Sequence, residues 1–219
     1  MKKIIYILLI SPMFWAVLCH KCDETVAKFQ FKPQDYEWQI YDLNQTYTFK
    51  STKTGEVKTY SVIKTNKSIF RSKDGVDKWG CTIRSRQTDI ITIEMVNSNQ
   101  EKIVVEFQAL DKLNQHGYDI SSTKESHFLI RVQFYDSSSN LLKNVGYPIY
   151  YINKYQSSFI NAQPLSPDSN SPYHFIIFYN QLEMDGFTYQ NVYKKSDCYY
   201  SKTWGIVQFT VNDETWQRI

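Results

Sequence analysis

Strict alternation of apolar and polar residues over two stretches governs what this chain can fold into. Between residues 89 and 109, Ile91, Ile93 and Met95 alternate with Thr92 and Glu94. A polar run, Asn97-Ser98-Asn99-Gln100, interrupts them, and Ile103, Val105, Phe107 and Ala109 resume the pattern around Glu106 and Gln108. Successive strand side chains face opposite sides, so this is a hairpin with one buried face and one wet face. Residues 127–135 repeat the pattern, with Phe128, Ile130, Val132 and Phe134 on one side and Arg131 and Gln133 on the other. A third hairpin leads from Phe175-Ile176-Ile177-Phe178 through Asp185-Gly186 to a return strand, Phe187 to Tyr193. Asp-Gly suits a type I′ turn, whose two central residues need positive φ. Two last strands, Ile206 to Val211 and Glu214 to Ile219, join through Asn212-Asp213. Earlier strands are predicted at 36–41, 45–50, 56–64 and 80–86.

Helical periodicity is sparse. Residues 109–115 could form one or two turns and 139–143 another, while 111–126, 136–146 and 161–172 read as loops rich in Ser, Asn, Asp and Pro. The expectation is an all-β fold with few short helices: a mostly antiparallel curved sheet, either a sandwich or an open barrel. With 13 Phe, 17 Tyr and 5 Trp in 219 residues, the chain has the material for a real core and excludes disorder. Its seven scattered glycines form no phosphate-cradling loop. The net charge of +3 includes Lys2 and Lys3, and the remaining charge forms no basic stripe, so no nucleic-acid partner is expected.

The first residues read as an address. Met1-Lys2-Lys3 is basic, and Ile4 to Leu18 is an uncharged run of 15 residues. As a helix it spans about 22 Å, short of the roughly 20 residues that a permanent crossing needs. The run ends Ala16-Val17-Leu18-Cys19. This resembles a bacterial lipobox, in which the cysteine becomes the first mature residue and carries the lipid; Leu18 departs from the small residue usual there. The resemblance implies a lipoprotein signal peptide at 1–18, lipidation of Cys19 and a cell-envelope location. Residues 19–34 then form a tether and 35–219 the β domain. Acyl chains contribute about 0.8 kcal/mol per buried methylene, so several chains on Cys19 hold firmly to a membrane.

The C-terminal segments resemble a group of uncharacterised Bacteroidota lipoproteins. Met184 to Tyr193 looks like their NGxxYxNVY hairpin, Tyr199 to Phe209 like their YYxKxxGIVxF segment, and Glu214-Thr215-Trp216 like their terminal tryptophan. The match covers roughly a fifth of the chain. It implies successive antiparallel strands of an open, curved sheet and an envelope location, and it implies no activity. Read from the residues themselves, Gly205 separates an aromatic strand from an apolar one, where a bulge or close approach needs glycine. Tyr189, Tyr199, Tyr200, Trp204 and Trp216 are amphipathic rings that serve either as core and rim or as a ligand surface.

Chemistry-bearing residues are few. If Cys19 is acylated, Cys22, Cys81 and Cys198 remain. Cys81 and Cys198 both lie in the β domain: either they pair, closing about 117 residues and stabilising by up to about 4–5 kcal/mol, or both are buried thiols. His20, His116, His127 and His174 form no metal or catalytic motif, and no nucleophile elbow occurs. Asn44-Gln45-Thr46 and Asn66-Lys67-Ser68 are glycosylation sequons, relevant only in a eukaryotic source. No catalytic residue, metal or cofactor is expected. The favoured reading is a non-catalytic, lipid-anchored binding domain with a protein, apolar or sugar ligand. The alternatives are an envelope carbohydrate-active hydrolase drawing carboxylates from separate strands, or a carrier of an apolar ligand.

Overall fold

The computed structural model describes residues 26–73, 85–109, 128–148, 163–164 and 176–219. The chain divides into a larger unit, Phe29–Ile69 with Thr88–Ile219, and a smaller one, Met1–Lys28 with Phe70–Gln87. In the smaller unit the described residues 26–28, 70–73 and 85–87 are all extended. The expected signal peptide, Cys19, Cys22 and Cys81 lie outside the described residues, as do residues 110–127, where the first helical turn was expected to continue. No helix among the described residues is long and apolar enough to cross a membrane.

Among the described residues thirteen strands succeed one another: β1 Val26–Phe29, β2 Thr46–Ser51, β3 Val57–Lys73, β4 Ser85–Val96, β5 Lys102–Ala109, β6 Phe128–Tyr135 and β7 Leu141–Pro148. β8 Gln163–Pro164, β9 Ile177–Met184, β10 Phe187–Lys195, β11 Cys198–Ser201, β12 Gly205–Val211 and β13 Glu214–Arg218 follow. They form one antiparallel sheet in the order β7-β6-β5-β4-β3-β2-β13-β12-β11-β10-β9-β8, and β1 pairs with β4. The sandwich-or-barrel alternative resolves to one curled sheet.

Alternation explains the register. β5 and β6 bury every second residue, and Val105 pairs with Val132 and Phe107 with Ile130 on the inner face. On the outer face, the directly opposed Glu106 and Arg131 form a 2.6 Å ion pair. A cross-strand pair of this kind contributes about 0.2–1 kcal/mol. The curl brings distant strands into contact: the Tyr147 hydroxyl on β7 donates to the Cys198 carbonyl on β11 at 2.7 Å. The Lys195 ammonium donates to the Gly146 carbonyl at 2.9 Å, and Lys143 donates to the Thr210 carbonyl at 2.9 Å. Aromatic rings fill the enclosed side. Phe209 stacks on Phe134 at 4.5 Å and meets Phe49 edge-on at 5.2 Å, while Trp38 packs against Phe128, Tyr193 and Tyr200.

Three local expectations are corrected. Residues 36–41 are not a strand: Pro33–Trp38 is a 3₁₀ helix. Proline presets its first turn, and the Asp35 carboxylate accepts the Lys32 amide at 2.7 Å. Burial of Asp35, Trp38 and Tyr41 recurs every third residue, the 3₁₀ period. Of the expected loop 136–146 only 136–140 lie outside a strand, and 139–143 do not form a helical turn. Asp136 instead nucleates a hairpin turn, its carboxylate accepting the Ser138 and Asn140 amides and the Asn140 side chain. β7 follows, burying Val145 and Tyr147 alone between Leu141 and Tyr147, so its apolar signature is weak. Beyond these, Val26–Phe29 within the 19–34 segment is extended as β1.

The two tight turns read from sequence are present. Asp185 and Gly186 have φ of 47° and 79°, and Asn212 and Asp213 have 53° and 59°.

Candidate ligand-binding cleft

Within the larger unit, two short loops and two strand ends enclose an open cleft of about 600 Å³. The first loop precedes β2. The Gln45 amide donates to the Asp42 carbonyl at 3.1 Å, and Asn44 takes a positive φ of 69°. Asparagine tolerates that conformation better than most residues. The Gln45 side chain locks the turn, accepting from the Asp42 amide and donating to the Asp42 carboxylate. Tyr47 then enters β2, and its hydroxyl donates to the Ile40 carbonyl at 2.9 Å. Burial raises its pKa, with the charge of Arg218 opposing the rise.

The second loop, residues 202–204, joins β11 to β12. The Ser201 hydroxyl fixes its start, donating to the Gln190 carbonyl at 2.9 Å and accepting the Thr203 amide at 3.3 Å. Gly205 closes the loop with a φ of 66°. Lys202 forms an ion pair with Glu37, both partners well exposed, so it adds little stability. Trp204 stands at the rim, 39% exposed.

Arg218 completes the cleft from β13. It follows Trp216 by two residues and so leaves the same face of the strand. Its guanidinium carbon lies 4.9 Å from the Tyr47 ring centroid and 5.4 Å from that of Trp204, and one of its nitrogens donates to the Trp204 carbonyl. The Arg218 backbone is held in turn, since its carbonyl accepts the Tyr189 hydroxyl at 2.8 Å. Asn44, Gln45, Thr46 and Thr203 supply amides and hydroxyls around the opening. Among the described residues that line the cleft there is no carboxylate, and among the described residues Arg218 has no carboxylate partner.

The five rings expected as a ligand surface divide into three environments. Tyr189 and Trp204 meet edge-on at 5.8 Å beside the cleft. Tyr200 is interior, its hydroxyl donating to the Trp38 carbonyl at 3.2 Å. Trp216 is also interior, with the Lys58 ammonium 4.2 Å over its ring. Tyr199 packs, with Tyr179, on the apolar cluster of Val192 and Val207 to which the buried Tyr189 also belongs. Cys198 is fully buried with a free thiol, and burial pushes its pKa up to about 11.

Sequence reasoning missed Arg218, Tyr47 and Asn44. They lie far apart along the chain, and only the antiparallel pairing of β13 with β2 unites them. Asn44-Gln45-Thr46 reads as a sequon at the start of the 45–50 strand; its turn-forming character was the available signal.

A smaller polar site of about 80 Å³ lies around Glu101. Glu101 accepts from Lys58 at 2.8 Å, Tyr60 at 3.2 Å and Asn97 at 2.6 Å. Burial works to raise its pKa, but the Lys58 and Asn97 hydrogen bonds outweigh it and hold the carboxyl below its usual range. These satisfied pairs fasten β3 to the β4–β5 turn. Among the described residues no cluster of His, Cys, Asp and Glu could hold a metal ion.

Comparison with protein-family models, curated proteins and solved structures returned no match to this chain.

Proposed function

We propose that this chain is a lipid-anchored bacterial cell-envelope protein whose β domain binds a ligand in the cleft at Tyr47, Trp204 and Arg218. One observation carries the binding half: an exposed indole, a guanidinium in contact with two rings, and a set of amides and hydroxyls converge on one opening. Convergent polar groups beside an aromatic wall are the usual chemistry of a small-molecule site. The anchor half rests on the lipobox-like end at Cys19 and the lipoprotein-like segments between Met184 and Trp216. The filled aromatic interior gives the apolar-carrier reading little support. The hydrolase reading needs two carboxylates some 5–10 Å apart across a cleft, and the described lining supplies none.

Metabolic labelling with an alkyne fatty acid tests the anchor. The natural chain should label and sediment with membranes, and the Cys19→Ala chain should do neither. A Cys19→Ala chain that still labels and sediments rules the anchor out. Incubation with envelope polysaccharides tests the domain: retention without release of reducing ends is expected, and sustained release of reducing ends would favour the hydrolase.

A further inference from the structure

Within the binding reading just given, we infer that the cleft selects a saccharide bearing a carboxylate, of the uronic-acid class. Arg218 provides the charge argument. It is the one charged side chain among the described lining residues, and no protein carboxylate neutralises it among the described residues. A guanidinium carries five N–H donors, and the Trp204 carbonyl accepts from one nitrogen. The Tyr47 and Trp204 rings both lie against its guanidinium carbon and the Trp204 carbonyl accepts from it, so the fork is oriented before any ligand arrives. One guanidinium matches the single charge and two-oxygen edge of a carboxylate. A phosphate dianion is matched better by two cations.

The remaining groups suit the sugar ring. Asn44, Thr46 and Thr203 present an amide and two hydroxyls, the partners hydroxyl groups need. Trp204 offers a partly exposed indole against which a pyranose can pack. The cleft volume of about 600 Å³ leaves room for a disaccharide.

Titration calorimetry on the full chain tests this with two probes: a glucuronic acid β-linked to glucose, and the matching disaccharide with that carboxylate reduced to hydroxymethyl. The acidic probe should bind about tenfold tighter or better, the effect of one charge-assisted fork. Arg218→Gln should bring the two affinities together, and Arg218→Lys should recover only part of the difference. Trp204→Ala should weaken both probes, with near-ultraviolet circular dichroism confirming that each variant is folded. Equal affinities in the natural chain overturn the acidic-sugar inference and leave the cleft as a binding site. Inorganic phosphate binding as tightly as the acidic probe overturns the sugar half. Binding unchanged in Trp204→Ala, or no binding of either probe, overturns the inference; unchanged binding in Trp204→Ala also overturns the cleft assignment.

Discussion

The hydroxyl end of Tyr41 abuts Gly205, where a Cβ would come within 2.6 Å of the ring carbon bearing the hydroxyl and closer still to its oxygen. That hydroxyl accepts the Ile206 amide at 2.8 Å in the buried core. Gly205 therefore needs glycine twice, for its φ of 66° and for the close approach of the ring. The contact ties the segment after the 3₁₀ helix to the loop that carries Trp204.

Gly205→Ala should accordingly destabilise by about 3 kcal/mol, from left-handed strain and a displaced Tyr41 that leaves the Ile206 amide unpaired. Gly186 also has positive φ, but no atom lies within 4 Å of its added Cβ. Gly186→Ala should cost only about 1 kcal/mol. Urea unfolding of both variants checks the contrast, and equal losses would contradict the close-approach account.

Stability should fall on acidification partly through Glu101. Its folded pKa is lowered, so its contribution is present above the ordinary carboxyl range and is lost as pH falls through the folded pKa. The Glu101→Gln chain should be less stable than the natural chain at pH 7. That gap should narrow steadily between about pH 5 and pH 3, the region of carboxylate titration. Urea midpoints across this range read the difference, and a gap that stays constant with pH would contradict an ionisation-linked contribution from Glu101.

Cys198 should be inert in the folded protein. Burial raises its thiol pKa to about 11, so little thiolate forms near pH 8 and solvent does not reach it. Ellman titration of the native natural chain and of Cys198→Ala should give the same thiol count. In denaturant without reductant the natural chain should show one more thiol. A natural chain showing one thiol fewer than Cys198→Ala in denaturant would mean that Cys198 is paired with Cys81, whose thiol the substitution frees.

Much of the sheet was legible because alternation records burial directly. The hairpins at Ile91–Ala109 and Asp185–Gly186 and the last two strands needed only period-two patterning and turn residues. β7 was not legible, because Leu141 and Leu142 are exposed and Val145 and Tyr147 alone are buried between Leu141 and Tyr147. The Trp38 segment was misread because its burial period is three, too short a run to separate from alternation. Gly205 was legible as a close approach, but its partner Tyr41 was not, since that contact spans most of the chain. The cleft was half legible for the same reason: Trp204 stood out among the aromatics, and Arg218 and Tyr47 join it only when β13 pairs with β2.

The central claim is that Trp204 is the accessible aromatic of a binding cleft while Trp38 and Trp216 belong to the core. Limited oxidation of the native chain with N-bromosuccinimide, read by peptide mass spectrometry, tests it most directly. Trp204, 39% exposed, should oxidise well before Trp38 and Trp216, which are 3% and 4% exposed, and the acidic disaccharide should slow its oxidation. Oxidation of Trp38 or Trp216 at the rate of Trp204, or a Trp204 rate untouched by a disaccharide shown to bind, would contradict the account.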